Sequence, residues 1–198
     1  MPNWCQNTLT IRGTSDDIKR FAAENAYKGP VDTDEARGNV DHPLSFEACF
    51  PTPEEFRDKP SPPPGRKMIP NELMELLAGT IEPYDWYTWR VVNWGTKWDV
   101  GDGTRVDGNP EDGYIRYDFD TAWSPPVPWV LSVSKRYPSI AFYLQYEEGG
   151  CSFEGYMKIV NGKTLEEHQG EYSRCQECNE RKCDCPPEGR KGKTDDTA

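Results

Sequence analysis

Residues 7–25 and 115–137 pass through the same change of rhythm, and that repeated change most restricts the folds open to this chain. In residues 7–12 (NTLTIR), Leu9 and Ile11 alternate with polar neighbours at the period of a strand, and Gly13 ends the run. Thr14 and Ser15 then offer an N-cap, Asp16 and Asp17 suit a first helical turn, and Ile18, Phe21, Ala22 and Asn25 recur at helical spacing. In the second half Ile115, Tyr117 and Phe119 alternate in a strand. Ser124 caps, Pro125 takes the first helical position, and Val127, Val130, Leu131 and Ser134 continue a helix up to Pro138. Two more strands follow, one with Ile140, Phe142, Leu144 and Tyr146 on a shared face and, after a turn at 147–150, one with Cys151, Phe153, Met157 and Ile159.

Between the halves, Leu44, Phe46 and Ala48 alternate with Ser45 and Glu47, which predicts a second strand closed by Pro51 and Pro53. Residues 58–66 (DKPSPPPGR) cannot form regular structure, because proline lacks the donor that a helix interior or central strand requires. They read as the way into a helical insertion over about residues 58–110. In it Pro70 starts a helix with Leu73, Leu76 and Leu77 as its apolar stripe and Gly79 as its stop, and a second helix covers about 84–92.

The order β-α-β, helical insertion, β-α-β-β predicts an α+β fold: a ferredoxin-like split βαβ sheet with helices on one face, a Trp-rich helical insertion and a Cys-rich C-terminal tail. Residues 1–165 are the expected ferredoxin-like domain, 166–187 a Cys-rich segment that is a candidate zinc knuckle, and 188–198, alternating in charge and without large apolar residues, a disordered tail. A chain of 198 residues is long enough to bury such a core without staples.

The stretch WYTWRVVNWGTKWDV over residues 86–100 holds four of the seven tryptophans. On a helix, Trp86, Trp89 and Asn93 fall on one stripe, which is packing geometry. The expectation is that the insertion folds back and covers the open face of the sheet with Trp89, Trp94 and Trp98. The competing reading, aromatic platforms that stack nucleic-acid bases, needs a basic surround, and the neighbours offer only Arg90, Lys97 and Arg105 among many acids. A net charge of −11 likewise repels phosphate backbones and anionic lipid. The acidity is read as solubility rather than imitation of DNA.

Four stretches, MPNWCQNTLTIRG at the start, NWGTKWDV at 93–100, FDTAWSPPVPW at 119–129 and YEEGGCSFEGY at 146–156, together resemble the YubB-like (Api-like) family of phage and plasmid proteins. They occur in the same order and cover about residues 1–160. The resemblance implies a ferredoxin-like domain encoded by a mobile element, and it carries over no activity, cofactor or catalytic residue. The tail after Glu167 lies outside it.

The strongest chemical signal is in that tail: Cys175, Cys178, Cys183 and Cys185, spaced C-x-x-C and then C-x-C. Four thiolates so close can close a tetrahedral shell around zinc, with an unstructured thiol-rich tail as the alternative. His42 and His168 are far apart in sequence, and no nucleophile stands beside a base, so no catalytic residue is assigned and the chain is read as non-enzymatic. Asp99, Asp102, Asp107 and Asp112 miss the calcium-loop order and read as turn formers, and Glu147 and Glu148 as a solvated turn.

The chain begins with neither a basic stretch nor the apolar run of a signal peptide, and nothing in it approaches a membrane span, so a bacterial host's cytoplasm is the expected compartment. The expected partner is a host protein. Nucleic acid, touched by the zinc knuckle with Arg174, Arg181 and Lys182, is the less favoured alternative.

Overall fold

The computed structural model describes residues 2–30, 39–57, 59–66, 71–101 and 103–171. In chain order these form β1 (Trp4–Arg12), α1 (Ser15–Asn25), β2 (Tyr27–Pro30), β3 (Asn39–His42), α2 (Phe46–Cys49), α3 (Glu54–Arg57), α4 (Glu72–Leu77) and α5 (Trp86–Trp94). There follow β4 (Arg105–Asn109), β5 (Tyr114–Ala122), α6 (Val127–Ser134), β6 (Ala141–Glu148), β7 (Phe153–Val160) and β8 (Lys163–Glu171). The main sheet is antiparallel throughout in the order β4-β5-β1-β6-β7-β8, and β2 and β3 pair separately. The crossover β1-α1-β4 straddles β5, and β5-α6-β6 straddles β1, which is the interlocked pair of split βαβ units of a ferredoxin-like fold.

Period-two alternation decides which face is inside. Cys5, Leu9 and Ile11 of β1, Ile115, Tyr117 and Phe119 of β5, and Phe142, Leu144 and Tyr146 of β6 are buried in one core with Ile18 and Phe21 of α1 and Trp129, Val130 and Val133 of α6. Thr14 caps α1 by accepting from the Asp17 amide, as its sequence indicates.

The insertion joins the same layer. Trp94, fully buried, meets Phe46 edge-on at 5.8 Å and Trp89 at 6.0 Å, and its indole N–H donates to the Phe50 carbonyl at 2.9 Å. Phe46 in turn lies 4.7 Å from Trp129 of α6. Trp89 and Trp94 therefore seal the helical side of the sheet. The expected cover over the opposite face does not form from them, because α5 docks on α6 and its buried side is spent there.

Other expectations are corrected. Residues 46–49 are a helical turn, not a strand: the Asp99 carboxylate, 53 positions from Phe46, accepts from the Phe46 amide at 2.6 Å and the Glu47 amide at 3.1 Å, and the Ser45 hydroxyl donates to it at 2.7 Å. Asp99 is thus a helix cap rather than a turn former, while Asp102 lies outside the described residues. Burial pushes the Asp99 carboxyl up, against four hydrogen bonds that pull it down. In α4 only Leu76 of the expected stripe is buried; Leu73 and Leu77 are exposed, and Glu72 is buried instead because Arg66 donates to its carboxylate at 2.6 Å. Ser124 does not cap α6, which starts at Val127; its hydroxyl donates to the Gly95 carbonyl. The strand β4 falls inside the stretch expected to be helical insertion, and β8 carries the sheet past residue 165 to Glu171.

Candidate functional site

All four stretches that carry the family resemblance meet at one end of the sheet. Trp4 begins β1 in the outward phase, with Gln6 and Thr8. Its ring lies 6.0 Å from Trp98, which stacks on Trp123 at 6.4 Å and 24°. Trp4 is 47% exposed and Trp123 45%, so the row is a ledge of three indoles open to solvent. Trp98, expected in the core, belongs to this ledge. The Lys97 ammonium lies 4.4 Å from the Trp98 ring centre.

The ledge is held from behind. Trp123 has φ +66°, a left-handed conformation that is an outlier for a bulky side chain and costs about 1–2 kcal/mol. Hydrogen bonds overdetermine it: the Trp123 amide donates to the Asn3 carbonyl at 2.9 Å, and the Thr96 hydroxyl both donates to the Ala122 carbonyl and accepts from the Ala122 amide. Gly95, at φ +82°, ends α5 within reach of Pro125 and Pro128, where no Cβ fits. On the fourth stretch, Glu148 is 2% exposed and accepts from the amides of Gly150 at 2.7 Å and Cys151 at 2.5 Å. Burial raises its pKa, but those donors together outweigh it and hold the carboxyl below its usual range. Glu148 is therefore an internal turn lock and not the solvated residue its sequence suggested.

Beyond the ledge runs the outer face of the sheet, a trough of about 610 Å³. Register orders its side chains into rows across the strands. Nearest Trp4 stand Asp120, Gln6, Glu147 and Glu154, directly opposite one another on β5, β1, β6 and β7. The next row holds Arg105, Asp118, Thr8, Gln145, Tyr156 and His168, with the Thr8 hydroxyl donating to Asp118 at 2.7 Å and Tyr156 beside His168 at 5.9 Å. The third row alternates in sign: Arg116 lies 3.7 Å from Asp107, and Lys158 lies 3.0 Å from Glu166. Partial desolvation pushes the Asp120 carboxyl up, with Arg105 opposing.

Cys5 lies under the ledge with its thiol pushed up to about 12 by burial, so it stays protonated at neutral pH and is no nucleophile. Cys151 is exposed and accepts a weak contact from the Asn3 amide nitrogen at 3.8 Å. His42 is buried beside Tyr27 in the small β2–β3 ribbon, whereas His168 lines the trough, so the two imidazoles remain apart. Among the described residues no group of His, Cys, Asp or Glu gathers as metal ligands, and no helix is long and apolar enough to cross a membrane. Cys175, Cys178, Cys183 and Cys185 lie outside the described residues. Sequence reasoning missed the trough and the ledge. The signal was present in β1, where Trp4 keeps the phase of Gln6 and Thr8 rather than that of Leu9 and Ile11.

Residues 93–183 match a family model described as "Ferredoxin-like domain in Api92-like protein". The matched segment supplies β4 to β8 and α6, while β1 and α1 come from outside it, and it reaches into the cysteine-bearing tail. The uncharacterized protein YubB of Escherichia coli (strain K12) is 31% identical over 96 residues, 48% of this chain and 63% of that relative, so the match spans less than two thirds of its length. The crystal structure of api92 from Yersinia pseudotuberculosis has a TM-score of 0.51 at 12% identity, covering 87% of this chain and 99% of that one, a likeness of fold alone. With its interlocked βαβ units and these matches, the chain has a ferredoxin-like fold and is similar over residues 93–183 to the ferredoxin-like domain of Api92-like proteins.

Proposed function

We propose that this chain is a non-enzymatic interaction module encoded by a phage or plasmid, acting in the cytoplasm of a bacterial host by binding a host protein through the ledge of Trp4, Trp98 and Trp123. The observation that carries this reading is the strained Trp123. A folding core gains nothing from holding a large aromatic side chain half in water at φ +66°, whereas a binding surface gains a rigid anchor of large area and low conformational entropy. The mobile-element origin is supported by the stretches that converge on the ledge.

Affinity capture from Escherichia coli lysate tests it. A partner recovered with the full chain, rebinding directly once purified, and lost with Trp123→Ser or Trp98→Ser while Trp86→Ser retains it, is the expected result. A partner indifferent to both ledge substitutions would refute it. Zinc held by Cys175, Cys178, Cys183 and Cys185 belongs to the same proposal as a second contact element.

A further inference from the structure

The tryptophans divide by what their indole N–H groups do. Trp94 and Trp129, both fully buried, donate to the carbonyls of Phe50 at 2.9 Å and Phe46 at 3.4 Å. Among the described residues, Trp4, Trp98 and Trp123 have no acceptor for theirs. The ledge therefore offers aromatic surface together with donors that the fold leaves unused. The cation on the ledge, Lys97, lies 4.4 Å from the Trp98 ring centre and 5.8 Å from that of Trp123, and no carboxylate of the described residues pairs with it. A ligand that complements this surface brings apolar faces, unshared carbonyls and a negative charge.

The length of the row selects among peptide conformations. Its ring centres are 6.0 Å and 6.4 Å apart, about 12 Å from end to end, and polyproline II advances ~3.1 Å per residue, so about four residues cover it. With three residues per turn, the two prolines of a P-x-x-P segment share one face about 9 Å apart, which sets both against the row. Such a segment has no internal hydrogen bonds, so its carbonyls are open to the indole N–H groups. A helix keeps most of its carbonyls for itself, and an added strand needs a free sheet edge, whereas the ledge lies at the ends of the central strands β1 and β5. We infer that the ledge receives a proline-rich segment of the host partner in the polyproline II conformation. Its prolines lie against Trp4 and Trp123 across Trp98, and an acidic residue flanking them pairs with Lys97. The inference rests on the interaction-module reading and names the chemistry of the partner. A net charge of −11 opposes a nucleic-acid strand on the same rings.

Two-dimensional NMR of the ¹⁵N-labelled full chain reads the indole N–H groups one by one. The titrant is a peptide of about ten residues, long enough to cross the row, with two prolines three positions apart and a glutamate at each end. The comparisons are the same peptide with alanine for both prolines, the same peptide with arginine for both glutamates, and a single-stranded oligonucleotide. The indole resonances of Trp4, Trp98 and Trp123 should shift to saturation while those of Trp94 and Trp129 stay in place. Trp4→Leu should weaken binding about tenfold and Lys97→Gln about threefold, and Trp86→Ser should leave it unchanged. Melting curves of Trp4→Leu and Lys97→Gln verify that the fold is intact.

A peptide that shifts no ledge resonance, that binds as well without its prolines or with arginine ends, or that the oligonucleotide displaces from the same indoles would overturn the inference. So would ledge resonances that shift when the chain alone is concentrated, which would assign the surface to a second copy. If the peptide fails while a captured host partner still requires Trp123, the proline-segment assignment is lost and the interaction-module reading stands. If the partner ignores Trp123, that reading falls by itself.

Discussion

Replacing Trp94 by alanine separates the tryptophans that hold the fold from those that face the solvent. Trp94 is 0% exposed, and burying an indole removes about 200 Å² from water, which at about 25 cal/mol per Å² corresponds to roughly 5 kcal/mol. Alanine keeps the Cβ and the site relaxes in part, which lowers the loss. The Phe50 carbonyl, however, forfeits its 2.9 Å donor, which restores about 1 kcal/mol of it. The expected cost is about 4–5 kcal/mol, a large part of the total stability of a domain this size. Trp98→Ala removes contacts with Trp4, Trp123 and Lys97 on a partly exposed surface and should cost about 1–2 kcal/mol. Urea unfolding followed by far-UV circular dichroism reads both, with the midpoint of Trp94→Ala falling by about 2 M for a slope of about 2 kcal/mol/M. A Trp98→Ala loss equal to that of Trp94→Ala, or a Trp94→Ala loss below about 1 kcal/mol, would refute the division of the tryptophans.

Gly95→Ala should cost about 2–4 kcal/mol in the same assay, since φ is +82° and a Cβ would meet the Pro128 ring at 2.6 Å and the Pro125 carbonyl at 2.9 Å; a neutral outcome would mean that α5 and α6 do not meet there. The carboxyls of Asp17, Glu111 and Glu148 are held below their unfolded values, so their contribution is present above the ordinary carboxylate range near pH ~4 and is lost as pH falls through the lower folded values. The melting temperature should therefore drop steeply below about pH 4, and less so for Glu148→Gln, whose wild-type slope persisting unchanged would remove Glu148 from the account. Elemental analysis of protein purified without chelator should find about one zinc per chain, lost on truncation after Gln169; a metal-free full chain contradicts zinc binding.

The alternation of Leu9 with Ile11, of Ile115 with Tyr117 and Phe119, and of Phe142 with Leu144 made the central strands β1, β5 and β6 legible in the chain, because a central strand covered on one face must repeat with period two, whereas the strand expected at 44–48 stood in for β4. The N-cap of α1 was equally local and equally legible. Edge strands carry no such imprint. Both faces of β4 and β8 are largely exposed, so their sequences have no apolar phase to detect. The segment LSFEA at 44–48 suits strand and helix alike, and the choice fell to Asp99, whose carboxylate reaches it only in the folded chain.

The tryptophans divide in the same way. Their number and the acidity of the chain argued for packing over base stacking, and for Trp89, Trp94 and Trp129 that holds. Trp4, Trp98 and Trp123 come together only because the start of β1, the turn after α5 and the end of β5 converge at one sheet end, a juxtaposition set by strand order and register. Sequence by itself determined which segments alternate and hence the sheet and its inward face. Tertiary structure alone decided what stands beside what on the outward face, because cross-strand neighbours there, such as Gln6 and Glu147, are separated by up to 141 residues and share no local pattern.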